Sequence, residues 1–163
     1  MKKYRVLILA VIFVLCLAAC SGTGNTVETE TDVPEQPPQI SEYVTMEQVA
    51  TATAITVAKV EQFRDGSAGY FSEDGAQAVY VSAQKMTAAE FDAMYTQLAA
   101  GTSLTDAPNL AQKAFWYEDV CALTAFTGSY ALEIRVEYAI PDANTALLAA
   151  RQLAVVLMEK ISL

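Results

Sequence analysis

The stretch Tyr130–Tyr138, YALEIRVEY, alternates without a break. In an extended chain Leu132, Ile134, Val136 and Tyr138 fall on one side, and Glu133, Arg135 and Glu137 on the other. Such a pattern describes a strand whose sheet packs one face on a core and shows the other to water, a habit of antiparallel sheets. The residues just before it, VCALTAFTGS, supply a second strand, and Thr127-Gly128 is the turn between them. Helices are therefore expected mainly on one face, opposite the charged residues.

Working outward, AQAVYVSAQ places Val79 and Val81 on one face and Tyr80 and Ser82 on the other, while Asp74-Gly75 turns the chain back to AGYFS. Two helix starts carry the same signature. In VTMEQV, Thr45 caps, Gln48 reaches back, and Val44 and Val49 form a hydrophobic staple. In MTAAEF the same roles fall to Thr87, Glu90, Met86 and Phe91. The second start opens a helix with Phe91, Met94, Tyr95 and Leu98 on one face and Gly101 as its stop. The first opens a short helix to about Thr53, with a strand after it.

Downstream of the charged strand, Pro141 and Asp142 open a long helix. Its stripe is Ala146, Leu147, Ala150, Leu153, Ala154, Leu157 and Ile161, widened by Leu148, Val155 and Val156. Arg151 and Glu159 interrupt the run, so a membrane span is not expected there. The order helix, strands, helix, strands, helix predicts an α+β fold for residues 41–163, an antiparallel sheet with helices packed mainly on one face. YFSED (Tyr70–Asp74) and FWYED (Phe115–Asp119) are similar, and each lies downstream of a capped helix. Chance is the preferred explanation; a true repeat would give a pseudo-twofold domain.

The N-terminus sets the address. Lys2, Lys3 and Arg5 precede the uncharged run Val6 to Leu17, the layout of a secretory signal peptide. The run is too short to span a bilayer, which takes about 20 apolar residues. It ends in Leu17-Ala18-Ala19-Cys20, a tetrad that resembles the lipobox of bacterial lipoproteins. In that family the cysteine is acylated and becomes the first residue after cleavage. The resemblance implies a signal over residues 1–19, lipidation at Cys20, and attachment to the extracytoplasmic face of the cell membrane. Residues 20–40 then form a linker: Ser21 to Gln39 is rich in Gly, Thr, Glu and Pro and has too little apolar surface to order itself.

Composition excludes several functions. The formal net charge is −9, and removal of the signal takes away only basic residues. An acidic chain suits neither nucleic acid nor anionic headgroups, so the anchor rather than the surface holds it at the membrane. Cys16 leaves with the signal and Cys20 carries lipid, leaving Cys121 without a disulfide partner. The chain has no histidine, which removes Ser-His and Cys-His nucleophiles and the HExxH zinc helix.

No cofactor or metal is expected. RDGSAGYFSED begins like a calcium loop but has Tyr70 where the sixth-place glycine belongs and Ala76 where the twelfth-place glutamate belongs. Glu73 with Asp74, and Glu118 with Asp119, are the carboxylate pairs available for acid–base chemistry, and solvated turns explain both. Aromatic residues give a different candidate: Tyr70, Phe71, Phe115, Trp116 and Tyr117 as a binding surface, with Trp116 facing away from Phe115 and Tyr117. Core packing is the preferred explanation for them.

The capped helix, the paired strands, AFW, the Gly-turn hairpin and the C-terminal AARQLAVVLMEKI together resemble small bacterial lipoproteins of unknown function and related extracytoplasmic sensor domains. The paired cysteines frequent in those sensor-like domains are absent. The resemblance implies a non-enzymatic module that binds an envelope protein or a small apolar ligand outside the membrane. The alternative is a carboxylate-dependent hydrolase acting on cell-envelope substrates.

Overall fold

A computed structural model of the chain describes residues 38–137 and 142–161. The signal segment, Cys20, the linker as far as residue 37, Tyr138 and Pro141 lie outside the described residues. Two short helices, α1 (Ile40–Tyr43) and α2 (Met46–Thr53), lead into the hairpin strands β1 (Val57–Gln62), β2 (Ala68–Ser72) and β3 (Gln77–Lys85). Helix α3 (Ala88–Ala99) follows. Then come β4 (Thr105–Asp106), β5 (Lys113–Tyr117), a 3₁₀ turn (Glu118–Val120), β6 (Ala122–Phe126), β7 (Tyr130–Val136) and helix α4 (Ala143–Ile161).

The seven strands among the described residues join one antiparallel sheet in the order β1-β2-β3-β7-β6-β5-β4. The fold is α+β, as the strand and helix pattern predicts. The charged strand β7 lies at the centre, paired with β3 on one side and β6 on the other.

Both predicted capping boxes are present. Thr45 Oγ1 accepts from Gln48 N–H, and Gln48 Oε1 accepts from Thr45 N–H at 2.8 Å. Thr87 and Glu90 repeat the exchange at the start of α3. Each satisfies donors that a helix start leaves open, and losing such a cap costs about 1 kcal/mol. The hairpin turns contain Gly75 and Gly128, at φ +81° and +106°.

The first face of the sheet carries Tyr70, Val79, Val81, Leu123, Leu132, Ile134 and Val136, all buried. Helices α1, α2 and α4 cover it, and Ala146, Ala149, Ala150 and Ala154 let α4 approach closely while Leu153 and Leu157 fill the space between. Burying each of those leucines contributes about 1.5–3 kcal/mol. The expected stripe is too wide by two residues: Leu148 and Val155 are 59% and 44% exposed, on the side of α4 turned from the sheet. Ile40, assigned to the linker from composition, belongs to the fold. It is fully buried, and its N–H donates to Gly66 O at 3.2 Å.

Helix α3 lies on the opposite face from the other helices. Phe115, Phe126 and Ala131 share that second face through the register of β5, β6 and β7, and Phe91 of α3 packs on them, its ring 5.0 Å from Phe126 and 5.9 Å from Phe115. One end of the charged face is thus capped.

The two similar peptides lie on opposite faces of the sheet. Tyr70 lies on the first face in β2, whereas Phe115 lies on the second face in β5. Strands β2 and β5 run in the same direction, and a twofold axis lying along the central strand β7 would exchange β1 with β4, β2 with β5 and β3 with β6 while also exchanging the two faces. The opposite faces of Tyr70 and Phe115, and of α2 and α3, are what such a relation requires.

Candidate functional site

One row of register partners runs across the part of the second face that α3 leaves open. Register places Glu61 of β1, Gly69 of β2, Tyr80 of β3, Arg135 of β7, Ala122 of β6 and Tyr117 of β5 side by side. Arg135 is its charged centre. Glu133 and Glu137, two residues away on either side, share its face because strand side chains repeat every second residue. The Arg135 Nε and Nη2 donate to Glu133 Oε1 at 3.0 and 2.6 Å, and Nη1 lies 3.5 Å from Glu137 Oε1. The guanidinium sits 5.0 Å from the Tyr80 ring centroid, within cation–π range.

Burial shapes the protonation of this group. It tends to lower Arg135, but Glu133, Glu137 and Tyr80 outweigh it and the guanidinium is held more firmly charged than usual. Burial raises Glu137 above the ordinary carboxylate range, with Arg135 opposing and Glu133 adding. Tyr80 is raised chiefly by burial as well.

Beside the charged centre stands an aromatic pair. Gly69 has no side chain, and the space above it is taken by Phe63 and Phe71. A Cβ at Gly69 would lie 3.0 Å from Phe71 Cε2 and 3.2 Å from Phe63 Cε2. Phe63 is 37% exposed and its ring is 6.4 Å from that of Tyr80. Lys59 Nζ lies 6.0 Å from the Phe71 ring. The result is a polar–aromatic strip from Phe71 through Phe63 and Tyr80 to Arg135. It can take flat or cationic groups by stacking and by its carboxylates.

The five aromatics singled out from the sequence do not form one surface. Tyr70 is fully buried on the first face, its hydroxyl donating to Val44 O at 2.5 Å. Trp116 is 4% exposed on that same face, and Phe115 is 2% exposed beneath α3. Three of the five are therefore core, because the strands that hold them are covered on the side they face. Phe71 and Tyr117 stay half-buried on the open face, on β2 and β5, to either side of Tyr80 and Arg135. The sequence does place Tyr80 and Arg135 outward by alternation. Phe63 has no periodic signal, since it opens the β1–β2 turn.

The acids are spread out. Glu73 and Asp74 lie in the β2–β3 turn, where Asp74 Oδ1 accepts from Ser72 Oγ at 2.5 Å and from Ala76 N–H at 3.2 Å. Glu118 and Asp119 lie in the 3₁₀ turn between β5 and β6. Both turns close the same end of the sheet, but three strand spacings, roughly 14 Å, separate them. Paired glycosidase carboxylates stand about 5–9.5 Å apart. Among the described residues no group of acids or cysteines is placed to hold a metal ion. Cys121 is half-buried, and burial together with the charge of Glu118 raises its thiol, which favours the unreactive protonated form. An open hollow of about 330 Å³ lies between Met46 and Val57, beside the α2–β1 junction. No helix among the described residues is long and apolar enough to cross a membrane.

Comparison with protein-family models, with curated proteins and with solved structures finds no match to this chain.

Proposed function

We propose that the chain is a lipid-anchored module of the extracytoplasmic membrane face that acts by binding. The anchor is Cys20, at the end of a basic and apolar leader. The observation that supports binding is the half-covered second face: α3 caps the Phe115–Phe126 end and leaves the strip of Phe63, Phe71, Tyr80 and Arg135 accessible. Aromatic rings beside a fixed charge, on a rigid sheet, offer both contact area and orientation without ordering cost. The partner is an envelope protein or a small ligand with an apolar face.

Two arms test this in the native host. Cys20→Ser should move the full chain from the detergent phase to the aqueous phase; equal partitioning of parent and variant overturns the anchor. A photo-crosslinking residue at Phe71 or Tyr117 should give a defined adduct that Arg135→Ala removes, while the same residue at Leu148 on α4 should not. Adducts indifferent to position and to Arg135 overturn the binding strip.

A further inference from the structure

The two edges of the sheet differ. At one edge β4 has only two residues and Pro108 follows closely. At the other, β1 runs for six residues, and among the described residues no strand lies beyond it. Phe63 N–H donates to Ser67 O at 2.7 Å, so Phe63 turns its backbone groups toward β2. Antiparallel alternation then turns Glu61 and Lys59 the same way, and leaves the N–H and C=O of Val60 and Gln62 directed outward. An irregularity between Val57 and Lys59 limits the regular edge to Lys59–Gln62.

We propose that this edge pairs antiparallel with the same edge of a second copy, about a twofold axis through Val60. The charges select that register. With Val60 opposite Val60 of the copy, the outward N–H and C=O of the two Val60 residues bond to one another, Gln62 faces Ala58 of the copy, and Lys59 stands opposite Glu61 of the copy, twice by symmetry. Within one chain these two side chains already form an ion pair on the second face, and both are well exposed, at 63% and 41%. Moving the axis by one residue, a slide of two, sets Glu61 against Glu61 of the copy, like charges directly opposed. Moving it by two residues leaves Gln62 opposite Gln62 of the copy and no Lys59–Glu61 pair. The contact is short, so the association is weak and favours chains held close together. The proposal is independent of the anchor and of the binding strip.

Sedimentation of the full-length chain in detergent micelles over a concentration series tests it. Lys59→Glu or Glu61→Lys alone should weaken association roughly tenfold, because each turns two attractive pairs into repulsive ones. An equimolar mixture of the two single variants should restore it, as should the double exchange Lys59→Glu/Glu61→Lys. Unchanged melts of both exposed-site variants confirm that the fold is intact. In the parent, amide exchange at Val60 should slow as concentration rises. A chain that stays monomeric, association indifferent to these charges, or a Val60 amide that gains no protection overturns the pairing.

Discussion

Arg135 is shared unequally by its two carboxylates, and the inequality is measurable. Glu133 accepts two hydrogen bonds from the guanidinium, whereas Glu137 makes one longer contact and has its carboxyl raised by burial. Glu133→Gln keeps an acceptor but loses the charge, and should cost about 1–2 kcal/mol at neutral pH in denaturant titrations. Glu137 behaves in the opposite sense. Its folded-state value lies above the ordinary one, so its contribution to stability is full at acid pH and is lost as pH rises through that raised value. The melting temperature of Glu137→Gln relative to the parent should therefore increase from acid to neutral pH. The increase is small, since the Glu137 side chain is 34% exposed and solvent screens it. A variant that loses ground as pH rises contradicts this account.

The ends of the elements rest on backbone conformations that the sequence serves unevenly. Gly128 holds φ +106° in the β6–β7 turn, and a Cβ there would lie 2.7 Å from Gln112 Nε2. That side chain can move aside, but the backbone angle cannot be avoided. Gly128→Ala should cost about 1–2 kcal/mol. Ala54 is the converse. It ends α2 at φ +57°, a position that glycine fills in many helices. Ala54→Gly removes the Cβ strain and loses part of the gain to unfolded-chain entropy, so it should stabilise by a few tenths to about 1 kcal/mol. Thermal melts of the pair should shift in opposite directions, which separates backbone conformation from side-chain contact as the cause.

At the scale of the molecule, seven strands share two unequal cores, one under α1, α2 and α4 and a smaller one under α3. Trp116 belongs to the larger core, where its strand pairs with Leu123 of β6 and Thr105 of β4. Trp116→Ala should cost about 3–5 kcal/mol, a large share of a stability of about 5–15 kcal/mol, and should lower the cooperative melt. An unchanged melt with loss of a binding activity would instead place the indole at a surface. The β1 edge and the Phe63–Arg135 strip lie on neighbouring strands, and Glu61 shares its register row with Tyr80 and Arg135.

The sequence by itself determined several features that depend on near neighbours. Alternation in β7 and β3 assigned the faces of Val79, Tyr80, Ile134 and Arg135. The spacing of Thr45 with Gln48, and of Thr87 with Glu90, located two helix starts. Apolar spacing gave α4 most of its buried stripe. Only the tertiary structure decided which face of each strand was covered and by what. Phe115 and Tyr117 share a face and alternate alike with Trp116, yet α3 lies over Phe115 and leaves Tyr117 half open. Leu148 and Val155 are as apolar as Leu153, yet they point away from the sheet. Periodicity records which side chains travel together along an element. Whether that side meets water depends on packing between residues far apart in the chain, as when Phe91 closes over Phe126.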